Sequence, residues 1–225
     1  MLKLSVGYQY SEKFLFSKIV SDYAQSIEEV YFPWVDAASG RSMIGGYDGY
    51  FDYGLQNILI GELKKIKELG IKLDLLYNAN CYGEDAMSEV LRGKVYSVID
   101  FLADNGIKVD VITTTSPAIA CMVKEQYPET VLIFITPPTA EELESRLRGR
   151  GTETEDVIAS RLSRASEEVA YMNKYDYIVL NESGKVSECA AQIHHIIETE
   201  KKKVIYSGQK ISNLTEGLAK YKKGE

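Results

Sequence analysis

Arg146, Arg148, Arg150, Arg161 and Arg164 crowd one stretch of a chain whose formal net charge is −7. Gly149 and Gly151 bracket Arg150. Guanidinium forks bind phosphate oxygens two at a time, and glycines let a backbone fold over its ligand. A helix N-terminus beside such a loop adds unpaired N–H groups for an anion. That chemistry suits an oligophosphate. The same residues also fit a solvated helix hairpin whose arginines pair with the many nearby glutamates. Spacing alone leaves both readings open.

The elements that must hold this loop can be read on either side of it. Val131–Ile135 is an unbroken apolar run, as in a strand covered on both faces, and Pro137 and Pro138 should stop it. Thr139 is placed to cap a helix, with Glu142 three residues later to complete a capping box. That helix should end near Arg148. Thr152, with Glu155 three residues on, should cap the next. A further strand follows over YDYIVLN, ending at Asn181.

The stretch KEQYPETVLIFITPPTAEELESRLRGRGTETEDVIASRLSRASEEVAYMNKYDYIVLNE resembles the C-terminal part of guanylate kinase, from about Lys124 to about Glu198. The double proline, RLRGRGTETE, IASRL and YDYIVLN occur in the family's order. The resemblance implies a lid that closes over ATP. It implies Arg146, Arg150 and Arg161 as catalytic lid arginines on the transferred phosphates. It implies Gly149, Gly151 and Asn181 on the nucleotide, Asn181 near the adenine, and ATP with Mg²⁺ as cofactors.

The remainder of the 225 residues bounds the class. Hydrophobic residues at 45% and charged residues at 26% are those of a globular chain with a real core. The acidic balance argues against general nucleic-acid binding. Cys81, Cys121 and Cys189 are isolated, with no CxxC pair, and read as buried thiols of a reducing cytosol. The longest apolar runs are strand-sized, so no membrane span is expected. His194 and His195 adjoin on a helix and face different ways, so no shared metal site is expected.

From the start of the chain, strands are expected at Leu2–Tyr8, Val30–Trp34, Ile71–Tyr77 and Val109–Ile112. Helices are expected at Glu12–Gln25, Leu55–Leu69, Ala86–Ala103 and from Pro117 to Tyr127. A glycine- and tyrosine-rich loop fills Asp36–Tyr53. This alternation implies right-handed crossovers and an α/β fold with about six mostly parallel strands. Asn78, Asn80 and Tyr82 fall where ligands gather at such a sheet's edge; they also suit a turn that uses them for its own backbone.

KLSVGYQ, EEVYFPWVDAASGR, LDLLYNANCYG and VITTTSPAIA resemble the first four βα units of collagenase-like (family U thirty-two) peptidases, over about Leu2–Met122. The organisation expected is therefore composite. Residues 1–123 form a half-barrel-like part, 124–199 a kinase-like lid and C-terminal segment, and 200–225 an unassigned tail with a short helix over Leu214–Tyr221. Whether the sheet closes, stays open or divides near residue 125 is left open.

GxxxxGK[ST], which cradles ATP phosphates, does not occur in the sequence. The nearest stretch, Gly7–Lys13, has no glycine before its lysine and puts Phe14 at the Ser/Thr position. The guanylate kinase segment that holds GMP is likewise unmatched. The expectation is a kinase-related, nucleotide-binding cytoplasmic protein with impaired turnover. The alternatives are a peptidase-family βα protein that binds or does nothing catalytic, and a fusion product without activity of its own.

Overall fold

The computed structural model describes residues 3–40, 44–45, 51–79, 82, 88–151 and 153–203. Two units divide the chain, Met1–Thr130 and Val131–Glu225.

Among the described residues of the first unit four strands alternate with four α-helices: β1 (Leu4–Gly7), α1 (Phe16–Asp22), β2 (Ile27–Pro33), α2 (Tyr53–Glu68), β3 (Lys72–Tyr77), α3 (Glu89–Asp104), β4 (Val111–Thr114) and α4 (Pro117–Gln126). The strands are all parallel and lie in chain order, β1-β2-β3-β4. No described strand is inserted out of turn, so this sheet shows no reversal of the kind that makes a switch point. Val30, Phe32, Leu73 and Leu75 point to one face and are fully buried with Leu59, Leu63 and Ile66 of α2, Leu102 of α3 and Ile119 of α4. Each such side chain contributes about 1.5–3 kcal/mol by leaving water. Alternation sends Glu29, Tyr31 and Asp74 to the opposite face.

Local chemistry explains the helix boundaries. Asp52 accepts from the Leu55 amide at 2.9 Å and Ser88 from Leu91 at 3.1 Å, each covering an orphan N–H of a first turn. Ser116 caps α4 just ahead of Pro117. Gly70 and Gly106 end α2 and α3 with positive φ. α1 covers less than the stretch expected from Glu12. No side chain caps it at Leu15, and it starts at Phe16, the first residue it buries.

In the second unit β5 (Ile133–Thr136) and β6 (Tyr177–Leu180) pair in parallel, with α5 (Ala140–Gly149) and α6 (Glu155–Val169) between them and α7 (Val186–Glu200) after them. The fold is thus α/β, and among the described residues it has six strands, all paired in parallel, four in one sheet and two in the other. The tail from Val204 lies outside the described residues. No described helix is long and apolar enough to cross a membrane.

Candidate functional site

The arginine-rich stretch forms a hairpin of two helices. Thr139 caps α5, its hydroxyl oxygen accepting from the Glu142 amide at 3.1 Å. The reciprocal half of the expected capping box is not made by Glu142. Its carboxylate instead accepts from the Ser183 amide at 2.7 Å and from the Arg146 guanidinium. Those bonds, Ser183 first, hold the Glu142 carboxyl below the ordinary carboxylate range.

Arg146 lies in the last turn of α5 and its Nη2 serves several acceptors at once. It donates to Glu142 Oε1 and to the backbone carbonyl of Asn181, with Ser183 Oγ at 3.4 Å. Asn181 in turn donates its amide to the Thr136 carbonyl at 2.8 Å, continuing the β5–β6 ladder. Two residues assigned to the site from sequence, Arg146 and Asn181, are therefore in direct contact at the base of the hairpin.

Arg148 ties the two helices together. It bonds Glu144 one turn back, at 2.9 Å from Nε, and reaches Glu155 at the start of α6. Glu155 is held low by that guanidinium, and Arg148 is held high in return. Arg150 caps the end of α5 with helical backbone angles, is exposed, and makes no ion pair with another described residue. Gly149 is the last residue of α5, and Gly151 turns the chain with φ near +65°, a conformation that a side chain would strain.

On α6, Arg161 pairs with Glu153 at 2.9 Å. The expected cap at Thr152 falls outside the described residues. The helix starts at Glu155 behind Thr154, whose side chain makes no capping bond. Glu155 and Asp156 supply the negative charge that a first turn favours. Of the carboxylates that hold the arginines, Glu142 was expected only as a capping-box residue and Glu153 was not named. The spacing of Glu142 four residues before Arg146 was a usable signal.

At the edge of the four-stranded sheet, Asn78 Oδ1 accepts the Gly40 amide at 2.8 Å and so ties the end of β3 to the loop after β2. Asn80 lies outside the described residues. Tyr82 packs against the core of its unit, and burial pushes its phenol up to about 12. His194 and His195 are exposed on α7. Among the described residues no three His, Cys, Asp or Glu side chains gather as a metal site.

The guanylate kinase family model matches residues 83–200, a little over half of the chain. The chain belongs to the guanylate kinase family. It is 44% identical over 108 residues to the guanylate kinase of Streptococcus mutans serotype c, covering 48% of this chain and 50% of that protein. The guanylate kinases of Streptococcus agalactiae serotype III and Streptococcus pyogenes serotype M3 are 44% and 43% identical over the same length. The chain spans about half the length of the curated relatives it matches. The guanylate kinase match opens ahead of Lys124 and takes in α3, β4 and α4, which the peptidase resemblance also covered. The comparisons give the peptidase resemblance no support.

Proposed function

We propose that the α5–α6 hairpin is a nucleotide lid that binds the phosphate chain of ATP, and that this chain on its own phosphorylates GMP weakly or not at all. The observation that carries the reading is the cluster of Arg146, Arg150 and Arg161 on a glycine hinge inside the family match, anchored at its base to Asn181. Arg150 stands ready for an anion; Arg146 and Arg161 hold carboxylates, groups whose planar oxygen pair a phosphate can replace. Asn181 marks the adenine end. The arginines fit phosphate. The described residues gather no carboxylate set for Mg²⁺, and no step is assigned to that ion.

Impairment follows from the missing GxxxxGK[ST] pattern. Phosphoryl transfer depends on holding donor and acceptor in line and on neutralising charge at the β and γ phosphates. Loss of one such stabilising group typically costs about 3–4 kcal/mol of barrier. Lid arginines neutralise charge but leave the acceptor unplaced.

Calorimetric titration of the whole chain with ATP and with GMP, each with Mg²⁺, tests both halves. ATP binding is expected, lost in the triple variant R146A/R150A/R161A, with little turnover in a coupled assay. Equal ATP affinity in the triple variant would remove the lid; robust GMP phosphorylation would remove the impairment.

A second reading concerns the edge of the four-stranded sheet. Its favouring observation is the chain-order arrangement of β1–β4, which suits a barrel-like unit with a ligand at the strand ends. Peptide binding there would be abolished by alanine at Asn78, Asn80 and Tyr82.

A further inference from the structure

The pairing of Arg161 with Glu153 has a feature that a plain structural ion pair lacks. Glu153 Oε1 meets the guanidinium at 2.9 Å, while Oε2 is shut away from solvent with no hydrogen-bond partner among the described residues. A carboxylate oxygen taken out of water and given no donor costs free energy. The pair therefore holds Arg161 while leaving Glu153 only half satisfied. Arg161 itself stays partly open, its side chain 30% exposed, so a solute can reach it.

We infer that Glu153 is an internal stand-in for phosphate: it occupies the Arg161 fork in the free protein and must leave when an oligophosphate arrives, which sets how tightly the hairpin binds. Resting on the lid reading above, this gives Glu153 the role of a positioning residue that tunes affinity through Arg161 and touches no substrate. Displacement sends Glu153 back to water, where both of its oxygens find donors. The exchange recovers part of the desolvation cost of the ligand-free state. Arg146 differs, because it also holds the Asn181 carbonyl and stays anchored when Glu142 lets go. Arg161 is the arginine that Glu153 gates.

The test uses the full chain and inorganic tripolyphosphate, followed by calorimetry, on wild type, Glu153→Gln and Arg161→Ala. Glutamine keeps the size and removes the competing charge, so Glu153→Gln should bind tripolyphosphate about two- to fivefold more tightly, the scale of a partly exposed ion pair. Arg161→Ala should bind more weakly. Unchanged or weaker binding by Glu153→Gln, with Arg161→Ala impaired, overturns the inference and leaves the lid intact. No effect of Arg161→Ala overturns the lid reading itself. A second measurement does not depend on any variant folding. In the wild-type chain the side-chain carboxyl carbon resonance of Glu153 should move on adding tripolyphosphate, in step with Arg161 Nε. A Glu153 signal that stays still while Arg161 responds also overturns the inference.

Discussion

Asp74 sits in the middle of β3 with one carboxylate oxygen bonded to the Thr113 hydroxyl at 2.8 Å and the other buried without a partner among the described residues. Burial pushes its carboxyl up to about 6, against the opposing pull of Thr113 and helped by Glu29. The folded chain thus holds this proton more tightly than the unfolded chain does. The group favours folding fully below about 4, and its contribution is lost as pH rises through about 6. At pH 8 the buried charge is a standing penalty. Asp74→Asn keeps an acceptor for Thr113 and removes that charge. It should stabilise the protein by roughly 1–3 kcal/mol at pH 8 and by little at pH 4, read from denaturant melts of both proteins. A constant difference across that range would show that the charge is not what Asn removes. Sequence reasoning missed Asp74 because KLDLLY reads as a buried strand with one polar interruption, and such an interruption does not say which face it takes. The arginines were legible because their charge stands out in an acidic chain; which of the many nearby glutamates Arg161 would take was hidden by their abundance.

α5 is the element on which the hairpin depends, and two side chains fix its start. Thr139 covers the Glu142 amide, and the Glu142 carboxylate covers the Ser183 amide beyond β6. Thr139→Ala removes the first cover and should cost about 1 kcal/mol of local stability. Amides of the first turns of α5 should then exchange about fivefold faster by hydrogen exchange, while those of α3 stay as they were. Elements of this kind were readable because caps, apolar periodicity and the proline stop are local. α4 begins at Pro117 and β5 gives out before Pro137, as their residues dictate. Less was readable where a side chain chose a distant partner. Glu142 has the capping-box position, yet a guanidinium and an amide from another loop outcompete the Thr139 backbone. For α6 the stretch TETE offers two threonines equally good on paper, and the helix starts behind Thr154.

The two units differ in how much apolar surface they bury. The large fully buried side chains Phe32, Leu59, Leu63, Ile66, Leu73, Leu75, Leu102, Ile107 and Ile119 all belong to Met1–Thr130. Among the described residues of Val131–Glu225 the buried apolar ones are few, chiefly Leu132, Leu147, Ile158, Val179 and Cys189, while Ile135, Ile178 and Leu180 of the two-stranded sheet remain exposed. A two-stranded sheet with so small a core is marginal in water. A fragment of residues 1–130 should therefore melt cooperatively by circular dichroism, and one of residues 131–225 should not. A cooperative melt of the second fragment would contradict this account. The boundary was blurred in the sequence because the βα rhythm runs on through Tyr127 to Val131 without a linker, and the family match itself straddles it.

Trp34 gives that division an optical consequence. It is the single tryptophan of the chain, it is buried at the end of β2, and its ring meets the edge of Phe101 with centroids 5.9 Å apart. Indole emission therefore reports on Met1–Thr130 alone, and the sixteen tyrosines report on the chain at large. Exciting the indole selectively separates the two units spectrally in the uncut protein, with no label and no substitution.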